Sequence, residues 1–480
     1  MRFSKILLIN PYYYQYRSYD PFMPIGLAYI SEALVNAGIE HEIIDMQLGH
    51  NLSTFQDKIR KFRPDLIGIS MKTILYQKNY ELIKCFKKIS PNTKIVVGGP
   101  HMTMLKEQVL KECSAIDYGV VLYGEETILE ICKGLPPEEI KGLFYRKSNE
   151  VIFTGFRAPR IDSYSYPRYD KLKLARYFFA PDVPVPIISS RGCPYQCTFC
   201  ISREPFGNKY YPRSPQNVVD EIEHWSRKGH YVFDFLDDNF TFDVQRVYLI
   251  CDEIKKRGLR GLKLGCPNGV RADKVDKRLL TSMREVGFEL LAFGVESGSE
   301  RILKVLKKQE SLAQIDNAIR DACDLGYKVA LFFLVGSPYE TWDDLKSTFE
   351  LALKYPVYQV RFANIIPVPG TELFDWVKKN NLFLDSPEHY LNYSRCTDRV
   401  ILFITPELSK GMRKKALRYA DSISRKIEKR YYRSKLYRYG IFAELAAIIA
   451  TSNFVRERLM RLPFTKRALR IAKRILIPKR

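Results

Sequence analysis

The chain has no apolar run of the roughly 18 to 20 residues that would span a bilayer. Its opening residues, MRFSKILLIN, pass straight into a strand pattern without a signal-cleavage region, so a cytoplasmic protein is expected. A secreted disulfide framework is also missing. Ten cysteines are spread over 480 residues and only Cys193, Cys197 and Cys200 cluster, which points to a reducing compartment. No Gly-x-Gly-x-x-Gly follows the first strand, which argues against a nicotinamide or flavin dinucleotide. Neither a short-period repeat nor a low-complexity tract is present. Acidic residues are scarce in one place only: the net charge is +23, yet Glu407 to Arg480 alone holds 22 Lys or Arg against 5 Asp or Glu. The rest of the chain has the balance of an ordinary soluble domain.

With 46% hydrophobic residues the chain is long enough for two or three cores. Over residues 1–135, short apolar runs (KILLIN, HEIIDM, LIGIS, KIVVGG, YGVVLYG) alternate with amphipathic stretches such as IGLAYISEALVNAG. Five strands separated by helices predict an α/β fold that begins with a doubly wound parallel sheet, whose ligands bind beyond the carboxyl ends of the strands. Residues 136–185, rich in Pro, Tyr and polar residues, read as a linker. A second alternation fills residues 186–375 with six strand patterns, PIISSRG, HYVFDFLDD, KLGCPNG, LLAFGVES, KVALFFLVG and QVRFANIIP. Six units are fewer than a full barrel needs, so a partial (β/α)6 barrel with its site on the carboxyl rim is expected. Residues 376–480 form a C-terminal region with basic amphipathic helices.

In SSRGCPYQCTFC three thiols fall within eight residues at the end of the first barrel strand. Three thiolates can hold one face of a cubane cluster and leave its fourth iron open to a chelating ligand. Structural zinc is the competing reading, but it takes four ligands, and no fourth Cys or His lies close by in the sequence. The spacing, with Phe199 before the last cysteine, resembles the radical S-adenosylmethionine (SAM) superfamily over residues 186–375. The resemblance implies a 4Fe-4S cluster on Cys193, Cys197 and Cys200, SAM on the open iron, and reductive cleavage to a 5'-deoxyadenosyl radical. It also implies an electron donor such as flavodoxin or ferredoxin.

The same resemblance points to residues at later strand ends. Asp237 and Asp238 stand where the family holds the SAM amino group, in place of the more usual Gly-Gly-Glu. Glu296 and Ser297 resemble its ribose and methionine contacts, with a solvated surface role as the competing reading for Glu296. Arg271 offers a bidentate fork to the SAM carboxylate, or a structural ion pair. Gly336 would let the backbone approach the adenine, and Pro338 and Glu340 match the family's turn. Cys266, at a rim strand end, is a candidate hydrogen or proton donor or else a small buried residue.

In the first sheet PFMPIGLAYISEAL, GISMKT, VVGGPHMT and VLYGEET together resemble the cobalamin-binding domain that precedes the barrel in one subfamily. Glycines at strand ends, Gly98, Gly99 and Gly124, would let a flat macrocycle lie against the backbone, Ser70 and Thr73 could bond its nucleotide tail, and Glu125 at the last strand end is a further cobalamin contact. Gln47 replaces the histidine of Asp-x-His-x-x-Gly in Asp45-Met46-Gln47-Leu48-Gly49-His50, which implies a cobalt without a protein imidazole unless His50 moves in. His101 is the other nearby candidate, with a loop histidine bonded to the corrin rim or to solvent as its plainer role.

Residues 408–480 mix Lys and Arg with apolar residues at helical spacing, which suits an anionic membrane surface, or packing on the barrel, ahead of nucleic acid. The resemblance implies methylation of an unactivated carbon in a hydrophobic or membrane-associated substrate, such as a lipid or pigment, by a cytoplasmic enzyme whose basic tail could rest on the inner face of the membrane. Radical cyclisation, oxidative ring closure or rearrangement without methyl transfer is the alternative. A non-catalytic carrier would leave the three-ligand site unexplained, and a methylthiotransferase would need a second cysteine cluster that the N-terminal half lacks.

Overall fold

The computed structural model describes residues 3–12, 23–49, 52–164, 166–172, 177, 183–202, 209–392 and 400–436. Strands β1 (Lys5–Asn10), β2 (Glu40–Asp45), β3 (Leu66–Ser70), β4 (Lys94–Gly98) and β5 (Tyr118–Val120) pair in parallel in the order β2-β1-β3-β4-β5. Helices α1 (Ile25–Asn36), α2 (Leu52–Phe62), α3 (Tyr76–Ile89), α4 (Pro100–Leu105), α5 (Glu107–Glu112) and α6 (Gly124–Lys133) connect them. The run KILLIN is buried from Ile6 onward because both faces of a parallel sheet are covered. One core holds Leu7, Ile67, Phe86 and Val97, the other Ile6, Leu8, Leu34 and Leu66. Strand order reverses between β1 and β3, which opens a crevice at Asn10 and Ser70.

The sheet does not stop at five strands. Within the stretch read as a linker, β6 (Leu143–Lys147) and β7 (Glu150–Phe153) form an antiparallel hairpin that extends the sheet beyond β5. A tight turn with Ser148 at φ 55° joins them, and the Phe144 and Phe153 rings stack 4.4 Å apart. Further along, Tyr169 is fully buried and its hydroxyl donates to Pro186 O at 3.0 Å.

The second sheet is wholly parallel, in the order β15-β14-β13-β12-β11-β8. Its strands are β8 (Val185–Ile187), β11 (Val232–Phe235), β12 (Lys263–Val270), β13 (Phe288–Glu296), β14 (Lys328–Val335) and β15 (Gln359–Asn364). The ribbon β9 (Ser190–Arg191) with β10 (Tyr211–Pro212) follows β8. Among the described residues β8 and β15 do not pair, so this is an open six-stranded barrel. Helices α7 (Pro215–Arg227), α8 (Val244–Lys256), α9 (Lys277–Glu285), α11 (Leu312–Asp324), α12 (Trp342–Lys354) and α13 (Glu372–Lys379) are capped by Ser214, Asp243, Asp276, Ser311, Thr341 and Thr371. Each cap side chain accepts a first-turn N–H and is worth about 1 kcal/mol. The short helices α10 (Glu300–Val305) and α14 (Pro387–Tyr390) complete this part of the chain. Phe233, Phe235, Leu264, Cys266, Phe293, Leu331 and Phe333 pack into the helix-facing core, so alternation turns Asp234, Gly265, Gly294 and Phe332 toward the concave side.

The basic tail begins as α15 (Lys410–Leu436), which lies against β15 and α12. Ala416, Leu417, Ala420, Ile423 and Ile427 enter the barrel core, while Lys414, Arg418, Arg425 and Lys426 face solvent. Over these residues the membrane-binding expectation is corrected: the apolar stripe is spent on the barrel's last strand. Residues 437–480 of that reading lie outside the described residues. No helix of the described residues is long and apolar enough to cross a membrane.

Candidate functional site

The three cysteines sit in the loop that leaves β9 at the carboxyl end of the barrel. Asp238, just past β11, holds that loop at both ends: its Oδ2 accepts from Gly192 N at 3.0 Å and its Oδ1 from Ser202 Oγ at 2.8 Å. In the middle, Thr198 N donates to Leu306 O, and Thr198 O accepts from Leu373 N, at 3.1 and 2.9 Å. Burial pushes all three thiols above their ordinary pKa, Cys197 to about 11, and Cys200 is electrostatically close to both others. Among the described residues no three His, Cys, Asp or Glu side chains are drawn together as a finished metal cage. Among the described residues the loop supplies three sulfur donors and no fourth ligand, a set that fits an iron-sulfur cluster with one open iron and not structural zinc. Asn239, not singled out from sequence, is buried with Nδ2 3.9 Å from Cys193 Sγ and Oδ1 without a partner among the described residues.

The other expected SAM residues are found on the same rim, several in different employment. Asp237 accepts from Ser189 N, Ser189 Oγ and Ser190 Oγ at 2.6–2.7 Å, and burial raises its pKa. Asp237 is therefore committed to the β8–β9 backbone and its serines, which corrects its reading as an open ligand group, whereas Asp238 stays exposed while holding Gly192 N and Ser202 Oγ. Arg271 donates to Asp273 at 2.8 Å and Gln309 O at 3.0 Å, lies 3.7 Å from Glu310, and covers the Tyr195 ring of the cysteine loop at 3.5 Å. Glu296, at φ 65°, faces the buried Lys308 ammonium at 3.3 Å, which also lies 3.5 Å from Glu310. Burial pulls the Lys308 pKa down, but the two carboxylates outweigh it and hold the ammonium charged beside Cys197. Sequence reasoning missed Lys308 and Glu310, since a KKQE turn carries no motif.

Ser297 is fully buried against Thr348 Oγ1 at 3.3 Å. Gly336 has φ 92°, and a Cβ there would collide with the guanidinium of Arg413 from α15. That corrects the expectation of open backbone for an adenine on that side: Arg413 Nη2 donates to Gly336 O at 2.8 Å, and Glu340 accepts from Gly336 N at 2.6 Å. Cys266 is 1% exposed in the helix-facing core, with its pKa raised well above the ordinary thiol value by burial. It points away from the concave side, which removes it as a donor to substrate.

At the first sheet, Ser70 ends β3 and Thr73 follows it at the crevice. Gly99, φ 91°, is required where it stands, because a Cβ would come within 2.8 Å of Met71 O; Gly98 would meet only ordinary contacts. Gly124 is constrained by Ile30 of α1, and Glu125 is engaged by Arg191 at 2.6 Å. His101 is not a loop histidine. It lies buried in α4, with Nε2 2.9 Å from the Tyr80 hydroxyl and its ring stacked on Tyr76, and burial pulls its pKa down to about 4. The Gln47 amide donates to Pro11 O at 3.1 Å, while Asp45 bonds Asn10 at 2.9 Å and Tyr177 at 2.5 Å. Among the described residues this crevice offers amide and hydroxyl groups, the Asp45 carboxylate and the Lys72 ammonium, which burial weakens to a pKa of about 8, and no imidazole, a set that suits a corrin held at its periphery; His50 lies outside them.

The Radical SAM superfamily pattern matches residues 187–352 and the B12 binding domain pattern residues 17–132. An uncharacterized methyltransferase of Pyrococcus horikoshii is 32% identical over 408 residues, which cover 82% of this chain and 86% of that protein. An anaerobic magnesium-protoporphyrin IX monomethyl ester cyclase of Cereibacter sphaeroides is 29% identical over 73% of this chain and 60% of its own length. The radical SAM methyltransferase TsrM of Kitasatospora setae, solved with cobalamin and a [4Fe-4S] cluster, shares the fold at a TM-score of 0.73 and 16% identity, covering 98% of this chain and 100% of that chain. The chain thus belongs to the cobalamin-dependent radical SAM enzymes, with a 4Fe-4S cluster, SAM and cobalamin as its cofactors.

Proposed function

We propose that the enzyme transfers a methyl group to an unactivated carbon of a hydrophobic small molecule, a lipid or a pigment. The observation that carries this reading is that the carboxyl ends of the two sheets meet. Leu75 N, beyond β3, donates to Leu391 O; Met104 of α4 lies where a Cβ on Gly370 would be; and Glu125, beyond β5, pairs with Arg191 beside the cysteine loop. A radical initiator and a methyl carrier held on these two rims share one junction. When bound, the cluster with SAM supplies a 5'-deoxyadenosyl radical and cobalamin supplies the methyl group.

The chain's own residues bind and orient. Cys193, Cys197 and Cys200 would hold the cluster, and Asp238 fixes the loop that carries them. Lys308 holds Glu296, which would face the SAM ribose, Arg271, stacked on Tyr195, would pair with the SAM carboxylate, and the buried Ser297 would back that wall. Ser70, Thr73, Gly98 and Gly99 would border the cobalamin. Residues 437–480, with 11 Lys or Arg against 2 Asp or Glu, would rest on an anionic membrane surface near such a substrate.

The test is anaerobic turnover of the reconstituted enzyme with lipid and pigment extracts and methyl-deuterated SAM. A product carrying the labelled methyl supports the reading. A product that has lost hydrogen supports oxidative ring closure or cyclisation, and one of unchanged mass supports rearrangement, each without methyl transfer; the C. sphaeroides relative is named a cyclase.

A further inference from the structure

Arg191 is the residue before Gly192-Cys193, yet its side chain serves the other domain. Its guanidinium donates to Glu125 in the first turn of α6 at 2.6 Å, and both side chains are shielded, 17% and 7% exposed. Three tyrosine rings surround it: Tyr29 of α1 at 5.1 Å, Tyr123 just before α6 at 5.9 Å, and Tyr164 of the connecting segment at 5.5 Å. Tyr211, paired with Arg191 across the β9–β10 ribbon, meets Tyr123 edge-on at 5.7 Å. Burial opposes the charge, but Glu125 and the rings outweigh it and raise the Arg191 pKa.

We infer that the Arg191–Glu125 pair, in its tyrosine cage, is a positioning pin that sets the cluster loop at a fixed distance from the cobalamin sheet. The lever is short and stiff. Arg191 is anchored in the first sheet's α6, Gly192 N is tied to Asp238, and Cys193 follows at once, so little freedom separates the pin from the first cluster ligand. A planar guanidinium that donates to a carboxylate and is ringed by aromatic faces holds orientation as well as distance, which a lysine in the same place would not. Glu125, read from sequence as a cobalamin contact, thereby acts through the barrel's arginine.

The inference rests on the enzyme carrying both cofactors, which iron and cobalt analysis checks separately. Holoenzyme loaded with hydroxocobalamin and iron and sulfide is reduced so that cob(II)alamin and the cluster each carry an unpaired electron, and their separation is read by pulsed dipolar EPR. Wild type should give one narrow distance distribution. Arg191→Met and Glu125→Gln should shift or broaden it by about 1 Å or more, the scale at which misplacement costs rate, with iron and cobalt contents unchanged and Arg191→Lys in between. Wild-type distributions in both variants, or a broad distribution in wild type, would overturn the pin. Should Arg191→Met fail to load iron, Glu125→Gln decides alone, because it is remote in sequence from the cysteines. Loss of cobalamin from Glu125→Gln with an unaltered cluster signal would also overturn it, since Glu125 would then be a cobalamin contact.

Discussion

Replacing Lys308 by Met removes the one cation that Glu296 and Glu310 share. Lys308 is 7% exposed, and its Nζ lies 3.3 Å from Glu296 and 3.5 Å from Glu310. Removing one partner of a buried pair costs about 3 to 5 kcal/mol, because the remaining charge is left without compensation. Glu310 keeps Arg271 at 3.7 Å and the Ala272 N–H at 2.7 Å, so the lower end, about 3 kcal/mol, is expected here. All three tryptophans, Trp225, Trp342 and Trp376, lie in the barrel half, so urea unfolding followed by their fluorescence reports that half alone. Adding Glu296→Gln to Lys308→Met should recover much of the loss, because no lone carboxylate then faces the gap. The same cation favours the Cys197 thiolate, whose thiol stands near pKa 11. Lys308→Met should therefore slow alkylation of Cys197 in the apoprotein at pH 8, about tenfold for each unit of further rise. A variant that unfolds within about 1 kcal/mol of wild type, with an unchanged Cys197 alkylation profile, would refute this account of the network.

Glu340 is held at about pKa 7 by burial, against about 4.5 when unfolded, so its contribution to stability is full below pH 4.5 and is lost as the pH rises to 7. Glu340→Gln should thus exceed wild type by about 3 kcal/mol at pH 8 and match it near pH 4.5 in urea titrations. Asp238→Ala frees both ends of the cysteine loop, and iron bound after reconstitution should drop while cobalt is retained, as metal analysis would read. Gly99→Ala forces a side chain at φ 91° against Met71 O and should cost about 1 to 3 kcal/mol, with cobalamin uptake lost in absorption spectra.

The strands of both sheets were legible because apolar runs bounded by Gly, Pro and Asn mark buried parallel strands wherever they occur, and the cysteine spacing carried the cluster site. The β6–β7 hairpin was not, since LFYRK and EVIF are short and belong to an edge that only pairing reveals. Partnerships across long separations were equally hidden. Arg191 with Glu125, Gly336 with Arg413 and Glu296 with Lys308 are set by which loops the two rims bring together. Asp237 looked like a ligand because acidic strand ends on a rim suggest chemistry, yet its oxygens satisfy the buried Ser189 and Ser190. Cys266 was a different case: it alternates in phase with the buried Leu264, so its place in the helix-facing core could have been read from the strand pattern.

The central claim, a three-cysteine cluster facing cobalamin, is tested most directly by metal analysis of protein purified without oxygen, with the EPR spectrum of the reduced cluster taken before and after SAM. The account predicts about four iron and about one cobalt per chain and a spectrum that changes on adding SAM, with iron lost and cobalt kept when all three cysteines become alanine. Zinc in place of iron, or a cluster spectrum indifferent to SAM, would contradict it.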